Sequence, residues 1–127
     1  MKKNQNLKFR TLLVFIGIFL FIQISYGQDC NKIPASFSSY EQASDLVKSS
    51  NFKIKESVNT SKSSWIRGAT FYSCDSKKGF LIIKTDDREY IHQNVPIEVW
   101  NGFKNASSFG SYYNNYLKGK YGIILKT

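Results

Sequence analysis

Tyr90-Ile91-His92-Gln93-Asn94-Val95-Pro96 is the stretch in which the periodicity of the chain changes. Before Pro96 the side chains alternate as they do along a β-strand, and after it apolar residues recur at helical spacing. Proline is favoured in the first turn of a helix, where its missing N–H group costs nothing. We therefore expect a strand to end and a helix to begin at Pro96.

This strand, predicted over residues 88–95, follows two others. We predict the first over residues 64–74 and the second over residues 80–85, with turns between them. The second strand is apolar on both faces, which is typical of the centre of a sheet. Because the connections are too short for parallel crossovers, the three strands should form an antiparallel meander.

The N-terminal flank of the meander supplies one helix and one strand. Apolar residues fall at helical spacing over residues 37–47, and Ser38 and Ser39 each stand three residues before a Glu or Gln, as in a capping box. We predict a helix that ends at Lys48. Residues 52–58 then alternate in polarity and predict a half-buried strand, whose outward lysines suit a sheet edge.

The C-terminal flank predicts two short helices and a final strand. The first helix has an apolar stripe formed by Val99, Trp100, Phe103 and Ala106. The second helix runs over residues 109–118, and residues 121–126 could add a short edge strand. The predicted fold class is α+β: a small antiparallel sheet of three to four strands, one N-terminal helix and two short C-terminal helices.

The first 27 residues have the organisation of a secretory signal peptide. Met1 to Arg10 is basic, residues 12–22 are uninterrupted apolar residues, and the small residues Ser25 and Gly27 precede a cleavage point after Gly27. The alternative is a retained N-terminal membrane anchor, but a spanning helix needs about 20 apolar residues. We expect a secreted or periplasmic protein with no stable membrane insertion after cleavage.

Charge and cysteine content agree with export. The chain has 18 basic and 9 acidic residues; four of the basic ones lie in the first ten positions, so residues 28–127 retain 14 against 9, a charge of +5. That balance suits an anionic partner and equally an ordinary soluble domain. Cys30 and Cys74 are an even pair, which indicates a disulfide in an oxidising compartment. The alternative is a nucleophilic Cys74 paired with His92.

Other catalytic and metal-binding patterns are not expected. His92 is the single histidine and the two cysteines lie far apart in sequence, which is not metal-ligand spacing. The glycines stand singly, unlike those of a phosphate-binding loop. Asp86 and Asp87 are adjacent in a turn, which is more typical of a solvated turn than of a general acid–base pair. We therefore expect neither a metal, nor a cofactor, nor enzyme activity.

One set of cationic and aromatic residues is the best candidate for a binding surface. Aromatic faces with interleaved cations are used to bind single-stranded nucleic acid. The same aromatic residues also suit the core of a small domain, where buried phenols find hydrogen bonds. Both interpretations remain open from the sequence. The candidate binding residues are Tyr90, His92, Tyr113, Asn114, Lys118, Arg67 and Lys84.

A series of motifs lies in a fixed order across residues 63–118. The series is Ser63-Ser64-x-Ile66, Leu81 and Ile83 of the hairpin, Tyr90-x-His92-x-Asn94-Val95-Pro96, Val99-Trp100-x-x-Phe103-x-x-Ala106 and Ser108-x-Gly110-x-Tyr112-Tyr113-Asn114-x-x-Leu117-Lys118. Together the motifs resemble the KTSC domain family, a short module named for its occurrence at the C-terminus of some lysyl-tRNA synthetases. The resemblance implies a KTSC-like domain over residues 61–120, with a helix–strand extension over residues 28–60.

The resemblance also limits the functional hypotheses. The family occurs as single-domain bacterial proteins and has no established function, and RNA binding is suggested only by the synthetase context. The family's Tyr-x-Tyr is Tyr90-Ile91-His92 here, and Cys74 lies in a hairpin that looks longer than usual. An exported, disulfide-stabilised member is poorly placed to meet cytoplasmic RNA. We expect a non-enzymatic binding module with an anionic or protein partner; the alternatives are nucleic-acid binding by family analogy and a Cys–His enzyme.

Overall fold

The computed structural model describes residues 27–127. Apart from Gly27, the predicted signal peptide lies outside the described residues. The helical elements are a 3-10 turn Cys30–Lys32, α1 Tyr40–Ser49, α2 Ile97–Lys104, α3 Phe109–Tyr112 and a π-helical segment Tyr113–Leu117. The strands are β1 Ile54–Ser57, β2 Gly68–Ser73, β3 Lys78–Lys84 and β4 Glu89–Pro96. The predicted α+β class is confirmed. Among residues 27–127, none of the helices combines the length and apolar character that a membrane crossing requires.

The four strands form one antiparallel sheet in the order β1-β2-β3-β4. The predicted meander is confirmed, and β1 joins it as an edge strand. β3 pairs with a neighbour on each side, and its residues Leu81, Ile82 and Ile83 are buried. Their burial agrees with the apolar character of both faces of this strand.

Helices cover both faces of the sheet. Along β3, side chains alternate between the two layers, so Leu81 and Ile83 pack on one side and Ile82 on the other. The layer on the side of Ile82 contains α1, through Ala43 and Val47. The opposite layer contains α2, α3 and the π-helical segment, through Trp100, Phe103, Phe109, Tyr113 and Leu117.

The start of α1 shows why this helix begins where it does. The Ser39 hydroxyl accepts a hydrogen bond from the Gln42 N–H at 3.0 Å, which caps the helix. The Gln42 Oε1 in turn accepts from the Ser38 N–H at 2.7 Å, so the reciprocal bond of the predicted capping box ends on Ser38. Tyr40, the first helical residue, is 56% exposed and does not join the apolar stripe as its spacing suggested.

The transition at Pro96 differs in detail from the prediction. Pro96 is the last residue of β4 and the N-cap of α2, with extended backbone angles, and does not lie in the first helical turn. α2 ends at Lys104, so Ala106 lies beyond the helix. The stripe that covers the sheet is Trp100 and Phe103, both buried. The Trp100 ring stacks on Phe71 of β2 with 5.5 Å between centroids.

Strand β4 contains a bulge just before this transition. The register passes from Leu81 opposite His92 to Gly79 opposite Val95, so β4 has one more residue than β3 in this interval. Asn94 carries the distortion with φ of +58°, a left-handed conformation that asparagine tolerates better than most residues. The bulge changes the alternation, and Val95 therefore enters the same layer as Leu81.

The C-terminal tail does not form the predicted edge strand over residues 121–126. It makes two isolated bridges instead, Gly122 with His92 and Leu125 with Phe37. The reason is the Gln93 side chain, whose Oε1 accepts from the Ile124 N–H at 3.0 Å and whose Nε2 donates to the Ala35 carbonyl at 3.0 Å. Gln93 draws the tail across the edge of β4 toward the N-terminal segment.

Two predicted strands are shorter in the structure. The strand predicted over residues 64–74 begins only at Gly68, because the Ser63 hydroxyl accepts hydrogen bonds from the N–H groups of Trp65 and Ile66 and holds them in a turn. The strand predicted over residues 52–58 is limited to β1, and Lys55 is exposed there at the edge of the sheet.

Candidate functional site

A pocket of about 620 Å³ lies beside the first half of β4. The first turn of α1 borders it on one side, and the end of the π-helical segment and the tail at Gly122 border it on the other. Four of the seven candidate binding residues line this β4 pocket: Tyr90, His92, Tyr113 and Lys118. The structure therefore brings together most of the surface that the sequence indicated.

Two buried rings meet in the β4 pocket. Strand alternation sends Tyr90 and His92 to the same face of the sheet, and the π-helical segment begins with Tyr113 on that side. The His92 and Tyr113 rings contact edge to face, with 5.4 Å between centroids. Trp65 also contacts the Tyr113 ring edge to face, at 5.6 Å between centroids. Tyr113 therefore packs against two rings.

His92 is the most unusual group of the pocket. It is 6% exposed, and burial lowers its pKa below the ordinary value, although a backbone hydrogen bond with Tyr121 acts in the opposite direction. The neutral ring is therefore favoured at neutral pH. Within the described residues, its buried Nε2 atom has no hydrogen-bond partner. A buried polar atom without a partner typically costs about 1–3 kcal/mol.

The two tyrosines of β4 and the π-helical segment differ in exposure. Tyr113 is buried, and burial, followed by the nearby Tyr90, raises the pKa of its hydroxyl, so the phenol stays protonated. Tyr90 is 38% exposed and lies at the rim with Tyr40 of α1. The pocket thus combines a rigid buried interior with accessible aromatic rings.

Charged residues of both signs surround these rings. Arg88 and Lys118 are exposed cations, and Glu41 and Glu89 are carboxylates on the same lining. Lys48 and Ser44 of α1 bind the Glu89 carboxylate at 2.6 and 3.0 Å, and the Lys48 hydrogen bond is the main cause of its lowered pKa. The formal charges of the lining cancel.

The other three candidate binding residues lie outside the pocket. Arg67 forms an ion pair with Asp86, with 3.0 Å between Nε and Oδ1, and its guanidinium also donates to the Ser63 carbonyl. These contacts fix the turn before β2. Lys84 is exposed at the end of β3, and Asn114 is exposed on the π-helical segment. Neither lines the β4 pocket.

The sequence did not identify several residues that complete the site. Tyr40 and Glu41 contribute from α1, and Gly122 contributes from the tail. The helical spacing over residues 37–47 places Tyr40 in the apolar stripe, although its position directly after the Ser39 cap is compatible with exposure. Gly122 falls within residues 121–126, for which the pattern predicts a strand. Nothing local in the sequence places α1 against β4.

The cysteines have a structural role. Cys30 and Cys74 form a disulfide with 5.9 Å between Cα atoms, as predicted. Cys74 therefore has no thiol to act as a nucleophile with His92. The Asp29 carboxylate lies near both sulfur atoms. Disulfide sulfurs are not the thiolates that bind metals, so this cluster is not a metal site.

Comparison with known proteins gives a family match for part of the chain. Residues 69–121 match the family model described as the KTSC domain, whereas no curated protein and no solved structure matches the chain. The matched range runs from β2 to the tail and includes the four candidate residues that line the pocket. Tyr40 and Glu41 come from outside it. Residues 69–121 are therefore similar to the KTSC domain, and α1 and β1 lie on the N-terminal side of the matched range.

Proposed function

We propose that this chain is an exported, non-enzymatic binding module whose ligand occupies the β4 pocket. The observation that carries the proposal is the β4 pocket itself, whose lining places the exposed rings of Tyr40 and Tyr90 beside the buried His92 and Tyr113. A ligand that packs against Tyr40 and Tyr90 would cover aromatic surface that the fold leaves exposed.

A binding role fits the chemistry of the lining better than catalysis. Cys74 has no free thiol, and His92 is buried with a lowered pKa. The Glu89 carboxylate is held by Lys48 and Ser44, and its pKa is lowered, which makes it a poor proton acceptor. The disulfide supports export to a secreted or periplasmic location.

Nucleic acid is a weaker candidate for the ligand. Polyanion binding relies on an excess of cations along the contact surface. In the β4 pocket, Arg88 and Lys118 are balanced by Glu41 and Glu89. Arg67 and Lys84, which would have extended the basic surface, lie elsewhere.

The test is a nuclear magnetic resonance screen of the isotope-labelled protein with small aromatic acids and amides. We expect hits that shift the resonances of His92 and Tyr113 at millimolar concentration. A Gly122→Phe variant should weaken these hits about tenfold or more, because the new side chain competes for the pocket. A Cβ atom at Gly122 meets nothing within 4 Å, so the first atom of the new side chain meets no obstacle.

The matched control is Ile124→Phe. Ile124 lies on the same tail, is 51% exposed and does not line the pocket, so its replacement should leave the fragment affinities unchanged. If no fragment shifts the pocket resonances, or if both variants bind as the unmodified protein does, the β4 pocket is not the binding site.

A further inference from the structure

The backbone of β4 presents unpaired groups to the β4 pocket. The Thr85 N–H donates to the Arg88 carbonyl at 2.9 Å, so Thr85 and Arg88 are a hydrogen-bonded pair of the β3–β4 ladder. In an antiparallel ladder such pairs recur at every second residue. The backbone groups of Tyr90 and His92 therefore point toward β3, and those of Glu89, Ile91 and Gln93 point outward. The Gln93 N–H follows this rule, because it donates outward to the Tyr121 carbonyl at 2.9 Å.

The C-terminal tail forms hydrogen bonds with only some of the outward-pointing backbone groups of β4. It runs antiparallel to β4 at the bridge between Gly122 and His92, and then the Gln93 side chain draws Ile124 away from the edge. Among residues 27–127, the N–H groups of Glu89 and Ile91 have no hydrogen-bond partner. The open segment is the one that the pocket borders.

We propose that the ligand is an extended peptide segment that adds to the sheet as a strand along Glu89–Ile91; the inference rests on the proposed function of the β4 pocket. The Ile91 N–H donates to a peptide carbonyl, in the way that the Gln93 N–H donates to Tyr121. The tail is thus an intramolecular example of the same pairing at the adjacent position.

The side chains around the open edge define the peptide further. Side chains on one face of the added strand meet Tyr90, Tyr113 and His92. Tyr90 and Tyr40 are the exposed rings of this lining, so an apolar or aromatic side chain of the peptide can pack against them. Since the charges of the lining cancel, the peptide is uncharged and its backbone supplies most of the contacts.

The experiment uses a positional-scanning library of acetylated hexapeptide amides, added at millimolar concentration to the isotope-labelled protein. We expect peptides with an apolar or aromatic residue at one position to shift the Ile91 amide resonance and to slow its hydrogen exchange. The strongest peptide is then compared with two N-methylated forms, each methylated on alternate amides. Methylation along one edge should weaken binding about tenfold or more, and methylation along the other edge should leave it unchanged.

Each contrary result has a separate meaning. Binding that shifts His92 and Tyr113 but leaves the Ile91 amide unchanged, or that tolerates both methylation patterns, overturns strand addition and leaves the proposed function standing. Failure of every peptide while aromatic fragments or oligothymidylate bind overturns the peptide as ligand class. Concentration-dependent protection of Ile91 without any peptide, accompanied by dimerisation in sedimentation, would assign the edge to a second copy of the chain.

Discussion

The two edges of the sheet are finished in different ways. β1 is four residues long and exposes Lys55, a device that discourages pairing with another chain. β4 is twice as long, and the tail covers one half of its edge and leaves the other half open beside a pocket. An edge that is long and partly open is one at which another strand can bind. The comparison therefore favours β4 over β1 as the edge for the proposed addition of a strand.

The edges also differ in how the neighbouring segments are attached. On the β1 side, the segment after Gly27 is fastened covalently by Cys30 to Cys74, next to the parallel bridge between Asp29 and Asn51. On the β4 side, the attachments are hydrogen bonds: the Gln93 amide joins the N-terminal segment to the tail, and backbone bonds join Phe37 to Ile124 and Lys126. One attachment constrains the unfolded chain and the other satisfies buried polar groups. Their removal should have different signatures.

Removal of the disulfide should have the largest effect. Replacement of Cys30 and Cys74 by serine opens a loop with a sequence separation of 44 residues. The free energy of unfolding should fall by about 3–4 kcal/mol, because the unfolded chain regains conformational freedom. Urea denaturation measures the change, and reduction of the unmodified protein provides the control. A loss below about 1 kcal/mol for both would mean that the bond does not constrain the unfolded state.

Gln93→Leu should have the next largest effect, about 2–3 kcal/mol by urea denaturation, because the Ala35 carbonyl and the Ile124 N–H lose their partner. Hydrogen exchange should accelerate at Phe37, which bonds to Ile124. Asn114→Leu is the matched control, since this exposed amide should change stability by no more than about 0.5 kcal/mol. If the two substitutions lowered the free energy of unfolding equally, the Gln93 side chain would not be what attaches the tail.

Acidification should have the smallest effect and should act through His92. Its folded pKa lies below the ordinary value of 6.5, so the unfolded state takes up the proton first as pH falls. The contribution of the neutral His92 ring to the free energy of unfolding is fully present above the pKa of the unfolded state. It is lost as the pH falls from that pKa to the pKa of the folded state. Stability should therefore decrease from about pH 7.5 to about pH 5.5, a window that brackets the unfolded value.

The variant His92→Phe isolates this contribution. It removes the single histidine while it keeps a ring against Tyr113, and the slope of stability with pH should flatten in that window. Guanidinium denaturation at several pH values measures the slope. An unchanged slope would show that another group is responsible.

Much of the fold follows from local sequence patterns. The apolar character of residues 80–83 indicates a central strand, the cap at Ser39 indicates the start of α1, and Pro96 marks the end of β4. The paired cysteines indicate the disulfide. Each of these signals depends on chemistry within one element, or on a compartment that oxidises thiols, and each is visible before any tertiary contact is known.

The site was less accessible to prediction because it depends on long-range contacts. Tyr90 and His92 alternate on a strand, which the sequence shows, but the approach of Tyr40 depends on how α1 packs across the sheet. The path of the tail depends on Gln93, whose two hydrogen bonds span 58 and 31 positions. Arg67 was grouped with the binding residues for its charge, although it serves a turn through Asp86.

The π-helical segment Tyr113–Leu117 adds one residue to the chain before it turns toward β4. The Lys118 N–H donates to the Tyr113 carbonyl at 2.9 Å, five positions back, so the turn contains one residue more than an α-helical turn. A chain one residue shorter between Tyr113 and Leu117 would restore the regular helix. It would also rotate Lys118 by about 100° about the helix axis. The extra residue therefore determines the direction in which the chain leaves the helix and turns toward β4.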